Sequence, residues 1–243
     1  MVEAKVDVSA DPAALARRVA DWLVARIAAK SGRFALNLSG GSTPKRLYAL
    51  LASDGFRDRV DWTRLHLFFG DERYVPWNDA DSNHRMVDEA MLAHVPIPPE
   101  NVHGVVTEGL SPEEAADALA RDLKRFYGAE TLDPARPLFD VTLLGLGPDG
   151  HTASLFPGTP ALDERVRWAV PVIGEKPPPQ RITMTYPVLD SSAAVAFLVA
   201  GTDKRAMVAR ILGGDRNLPA GRIAPVGETI WFLDAAAAGT AAA

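Results

Sequence analysis

Cysteine is absent from all 243 residues, which excludes disulfides, thiolate metal ligands and a cysteine nucleophile, and fits a reducing compartment. Long hydrophobic runs are missing too. The longest, Ala193 to Ala200, is far too short to span a bilayer. The opening MVEAKVDVSAD is acidic early and lacks the apolar core of a signal peptide. Nor is there an excess of positive charge. With 26 Lys and Arg against 31 Asp and Glu, the net charge is −5, so no global field draws nucleic acid or anionic lipid and any anionic ligand has to be met locally. A cytoplasmic protein with neither a nucleic-acid nor a membrane partner is expected, as a monomer or weak homo-oligomer.

What is present is enough apolar side chain to form a core: 47% hydrophobic residues against 23% charged excludes a largely disordered polymer. The length suits one hydrophobic core, so a single α/β domain over 1–243 is expected, with the Ala-rich end, 235–243, frayed. No repeat or linker interrupts it, and Lys176-Pro177-Pro178-Pro179 reads as a loop. Apolar runs alternate with amphipathic segments, which implies parallel strands joined by helical crossovers. Leu15, Val19, Trp22, Leu23 and Ile27 form one stripe on a helix over 12–29, preceded by Asp11 and Pro12. Phe34 to Leu38 reads as a strand. The turn Ser39 to Thr43 leads into a helix carrying Leu47, Leu50 and Leu51, with Pro44 suited to its first position. Leu65 to Phe69 has the two-sided apolarity of a central strand. A helix is predicted over 82–93 and another after the capping box of Ser111 and Glu114. Strands are predicted at 139–144, 168–173, 181–185, 193–200 and 229–233, and a helix at about 203–212.

In such a sheet, ligands sit beyond the carboxyl ends of the strands. Four polar, glycine-rich turns fall there: Ser39 to Thr43, Gly70 to Arg73, Gly145 to His151, and Gly201 to Lys204. They are expected to build one pocket. Ser39-Gly40-Gly41-Ser42-Thr43 offers hydroxyls and helix-start N–H groups that suit a phosphate or simply cap a turn. It lacks Walker A spacing. Lys45, Arg46 and Lys204 put cations in first helical turns, where the macrodipole disfavours them by roughly 0.3–1 kcal/mol and a bound anion would reverse the sign. Gly145-Leu146-Gly147-Pro148-Asp149-Gly150 matches a dinucleotide fingerprint, but Pro148 interrupts it and no acidic residue follows at the required distance. Asp149 two residues before His151 reads either as a base with its orienting carboxylate or as a capped surface loop. Gly70-Asp71-Glu72-Arg73 reads either as an ion-paired turn or as a guanidinium fork beside a carboxylate for a sugar hydroxyl or proton. His66 reads as a hydrogen-bonded core residue, His84 as part of a solvated helical face. His94 and His103 have no metal-ligand spacing.

In order, LSGGSTP at 38–44, GDERYVP at 70–76 with DSN at 81–83, LLGLGPDGHTASLFPG at 143–158 and RITMT at 181–185 together resemble the 6-phosphogluconolactonase family of the glucosamine-6-phosphate deaminase-like superfamily. The likeness runs from the first helix to the last strand. It implies a Rossmann-like fold of NagB/RpiA/CoA-transferase type, a mostly parallel sheet with helices on both faces. It also implies hydrolysis of 6-phospho-D-glucono-1,5-lactone in the oxidative pentose phosphate pathway, with no metal or organic cofactor. By resemblance, His151 is the catalytic imidazole, Asp149 orients it, and Asp71 binds substrate hydroxyls or assists proton movement. Gly40, Gly41, Ser42 and Thr43 hold the phosphate with Lys204, with Arg73 and Arg181 nearby. The related deaminases need an acid soon after the histidine, whereas Thr152-Ala153-Ser154-Leu155-Phe156 supplies none. The alternative of another class is a non-catalytic sugar-phosphate sensor; one acting in transcription would need a basic DNA-binding element, which the sequence does not offer, so such a sensor would be free-standing.

Overall fold

The computed structural model describes residues 4–175 and 177–240, so Lys176 of the proline-rich loop and the end of the Ala-rich tail lie outside the described residues. In chain order the elements are β1 (Lys5–Ser9), α1 (Pro12–Ala29), β2 (Phe34–Leu38), α2 (Ser42–Leu51), α3 (Asp54–Arg57), β3 (Leu65–Phe69), β4 (Asp71–Arg73), α4 (Asn83–Ala90), β5 (Val102–His103), α5 (Pro112–Tyr127), β6 (Val141–Leu144), β7 (Ala169–Ile173), β8 (Gln180–Met184), α6 (Tyr186–Asp190), β9 (Ala194–Val199), α7 (Arg205–Leu212), β10 (Glu228–Asp234) and α8 (Ala235–Ala238). Seven strands form a parallel sheet in the order β1-β10-β9-β6-β2-β3-β5. Every residue of β2, β6 and β9 is buried, because helices and loops cover the sheet on both faces; unbroken apolar runs are what such strands need.

Local chemistry sets the helix ends. The Asp11 carboxylate accepts from the N–H groups of Ala13 and Ala14, and Pro12 opens α1 where a missing N–H costs nothing. Leu15, Val19, Leu23 and Ile27 then turn into the core. At α5 the Ser111 hydroxyl accepts from Glu114 N while the Glu114 carboxylate accepts from Ser111 N, the predicted capping box.

Several expectations change. The strands at 168–173 and 181–185 exist but leave the main sheet, pairing antiparallel with β4 in the order β4-β8-β7. Gly70 to Arg73 is therefore a sheet-to-sheet junction rather than a simple charged turn. Gly70 N–H donates to Leu38 O in the parallel sheet, and its carbonyl accepts from Met184 N–H of the second sheet. Helix α2 begins at Ser42, not Pro44: Gly41, at φ +108°, takes the cap position, and Pro44 is still within the first turn, whose N–H groups lack helical partners. The Ala-rich end is ordered at its start, where Asp234 accepts from Ala237 N and Ala235 and Ala237 are buried. Strand β1 lies at one sheet edge, where the alternation of Val6 and Val8 with polar neighbours leaves both valines exposed.

The chain leaves β2 through α2 and returns in β3 on one side, whereas it leaves β6 for β7 and β8 of the second sheet before returning in β9 on the other side, while β2 and β6 are neighbours. The turns leaving β2 and β6 diverge, and a crevice opens between them. Ser111→Ala should lower unfolding free energy by about 1 kcal/mol, read from urea melts followed by circular dichroism.

Candidate active site

At that crevice lies a cavity of about 390 Å³ lined by Gly40, Gly41, Ser42, Thr43, Asp71, Arg73, His151, Arg181 and Lys204, among others. The four predicted turns thus contribute to one site, the last of them through Lys204. Lys45 and Arg46, by contrast, are exposed and outside the lining, so they give the cavity no direct cation.

The first wall is the turn after β2. The buried Tyr48 hydroxyl accepts from Ser39 N–H at 3.0 Å and donates to Ser39 O at 2.8 Å, bracketing the start of the loop from within α2. Burial raises the pKa of this phenol and keeps it protonated. No side chain caps α2, and Ser42, Thr43 and Pro44 of its first turn line the cavity, where the helix dipole favours an anion. Lys204, at the end of the turn after β9, adds a cation whose ammonium lies 3.0 Å from the exposed Asp203 carboxylate.

The second wall comes from β4 and β8, where Arg73 and Arg181 are register partners. Burial and the neighbouring charge of Arg73 both pull the Arg181 pKa down. Two adjacent guanidinium groups repel unless an anion joins them. Arg181 also donates from Nε to Pro178 O at 2.9 Å. Arg73 Nη1 donates to Asp81 O at 2.7 Å and to Asn83 Oδ1 at 2.8 Å. Asp71, 7% exposed, accepts from the Ser154 hydroxyl at 2.6 Å. Glu72 points away from the cavity and accepts from the N–H groups of Arg73, Asn83 and His84 at 2.7–2.8 Å, tying β4 to the start of α4. Burial pushes its carboxyl up to about 7 against the pull of those donors.

The third wall is the turn after β6. Asp149 Oδ1 lies 2.5 Å from His151 Nδ1, which leaves Nε2 as the ring nitrogen open to a reacting group. Burial opposes ionisation of Asp149, but the imidazole and its hydrogen bonds outweigh it and hold the carboxyl below its usual range. Gly147 is required here: a Cβ on it would fall 2.1 Å from His151 Nδ1 and 2.6 Å from Asp149 Oδ1. Phe156 lies between His151, with ring centroids 4.7 Å apart, and the Arg181 guanidinium, 5.9 Å from its ring.

The other histidines lie elsewhere. His84 is not on a solvated face but stacks on Trp77 at 4.0 Å, because the segment after β4 folds its indole over α4. His66 bonds His103 at 3.3 Å, and His103 bonds Asp122 at 2.8 Å. Among the described residues no three His, Asp or Glu side chains are grouped to hold a metal ion.

With this geometry in view, residues 10–231 match the model of a family described as glucosamine-6-phosphate isomerases/6-phosphogluconolactonase. The chain belongs to this family. A 6-phosphogluconolactonase of Nostoc sp. is 41% identical over 239 residues, covering 96% of each chain. The structure of 6-phosphogluconolactonase from Trypanosoma brucei superposes with a TM-score of 0.80 at 30% identity, covering 97% of this chain and 98% of the other. A monomeric glucosamine-6-phosphate deaminase has a TM-score of 0.81 over 97% of this chain and 99% of its own, but at 20% identity the likeness bears on the fold alone.

Sequence reasoning did not single out Tyr48, Asn83, Ser154 or Phe156. The last three lie inside the family segments DSN and LLGLGPDGHTASLFPG, but only contacts reveal what each touches. Gly147→Ala should displace the imidazole and lower kcat at least about 100-fold while the far-ultraviolet circular dichroism stays native; an unimpaired kcat would contradict the packing argument.

Proposed function

We propose that the cavity hydrolyses 6-phospho-D-glucono-1,5-lactone to 6-phosphogluconate, using water activated by His151. One observation carries this reading: an imidazole oriented by a carboxylate shares a single cavity with an uncapped helix start and cationic side chains. The cationic end suits a phosphate dianion, and the imidazole suits an acyl carbon.

In this mechanism the phosphate rests on the N–H groups and hydroxyls of Gly40 to Thr43 with Lys204, and Arg73 and Arg181 supply further positive charge. His151 Nε2 takes a proton as water oxygen bonds to C1. Asp149 holds the ring in place and stabilises its protonated form. Turn N–H groups support the tetrahedral oxyanion. Collapse breaks the bond between C1 and the ring oxygen, which receives the proton from His151. Asp71, one oxygen of which is engaged by Ser154, is the candidate for substrate hydroxyls or for assisting the proton. No covalent intermediate and no cofactor enter these steps.

The deaminase reading is weaker, since 152–156 contains no carboxylate to open a sugar ring. No described helix is long and apolar enough to cross a membrane. We place the activity in the cytoplasm, with a sugar-phosphate lactone as the partner, no nucleic acid or membrane surface, and a monomer or weak homo-oligomer as the acting form.

His151→Ala should lower kcat roughly 100- to 10,000-fold in a lactone assay corrected for spontaneous hydrolysis; near-normal turnover would remove His151 from the mechanism. Lys204→Ala should mainly raise KM, and an unchanged KM would count against Lys204 as a phosphate anchor.

A further inference from the structure

Asn83 is 2% exposed, yet it lines the cavity and touches three parts of the site. Its Nδ2 donates to Asp71 O at 2.9 Å, and its Oδ1 accepts from Arg73 Nη1 at 2.8 Å. A Cβ on Gly40 would fall 2.1 Å from the same Oδ1, so the amide also packs against the loop that opens α2. Its backbone is held in turn, because Asn83 N–H donates to the buried Glu72 carboxyl at 2.7 Å. An amide donates to a carbonyl with one arm and accepts from a guanidinium with the other while carrying no charge at any pH.

The charge of the acceptor matters as much as its geometry. Arg73 Nη1 is fixed by a backbone carbonyl and a side-chain amide, both neutral. Its Nε is buried without a hydrogen-bond partner among the described residues. A guanidinium held by neutral acceptors keeps its full charge for a ligand, whereas one paired with a carboxylate has spent most of it.

We infer that Asn83 is a positioning residue that presents Arg73 to the substrate phosphate as an uncompensated cation, and so sets the preference of the cavity for phosphorylated over neutral lactones. The inference rests on the proposed contact between Arg73 and the phosphate. Replacing the amide with a carboxylate places a counter-charge on Arg73 and a repelling charge beside the phosphate, while a lactone without phosphate meets neither effect.

The test measures kcat/KM for 6-phosphogluconolactone and for unphosphorylated glucono-1,5-lactone in the full-length protein, together with competition by inorganic phosphate. In Asn83→Asp the ratio of the two kcat/KM values should fall roughly 10- to 100-fold, as expected for weakening one charged hydrogen-bond set, mainly through KM, and phosphate should inhibit less. Asn83→Ser, which removes the acceptor without adding charge, should lower the ratio less; it also carries the test if the aspartate variant does not fold. Equal losses on both lactones would overturn the inference and leave Asn83 a purely structural residue. Arg73→Met separates the two levels: if it lowers the ratio and the Asn83 variants do not, only the inference fails. If Arg73→Met leaves the ratio unchanged, the phosphate contact itself is wrong.

Discussion

The parallel pairing of β2 with β6, in which Leu36 faces Val141 and Asn37 faces Thr142, is the constraint from which the site follows. The chain leaving β2 enters α2 and the chain leaving β6 runs through the His151 turn towards the second sheet, so two neighbouring strands end in separate segments that both line the cavity. The uncapped start of α2 and the His151 turn thereby border one cavity. The fold supplies the opening; Asp71, Arg73 and Arg181 of a second, smaller sheet and Lys204 after β9 bring charged side chains to it.

That second sheet is joined to the first through Gly70, which hydrogen-bonds to both. Arg73 and Arg181 are consequently held on paired strands rather than on mobile loops. Glu72, between Asp71 and Arg73, points the other way and fastens β4 to α4 through backbone donors. Strand alternation thus sends successive charged residues to different tasks: Asp71 and Arg73 to the cavity, Glu72 to the scaffold.

Steric exclusion completes the arrangement at two glycines. Gly40 lies against the Asn83 amide and Gly147 against the His151–Asp149 pair, each with no room for a Cβ. These positions need glycine for close approach rather than for backbone freedom, since neither has a positive φ. The consequence is a polar site in which the imidazole and the guanidinium are oriented by neighbours before any ligand arrives.

Helix α1, strands β2 and β3 and the α5 capping box were legible because each is set by local pattern: apolar spacing, caps and unbroken hydrophobic runs. The cavity's main residues were legible through their strand-end turns and their ordered family motifs. Asn83 and Tyr48 were not, because a buried amide and a buried phenol look like ordinary helix residues until their partners are known. His84 misled for the same reason: its polar ring and position suggest a wet helical face, and the folding back of Trp77 covers it. The sequence by itself determined the longer helices and the buried strands and which turns carry chemistry, since those depend on neighbours along the chain; the short strands β1, β4 and β5 carry no such pattern and were not legible. Only the tertiary structure decided that β7 and β8 leave the main sheet, that Arg73 meets a neutral amide and that Gly147 makes room for an imidazole. Those outcomes depend on contacts between residues distant in sequence or folded back within a turn, which no local pattern encodes.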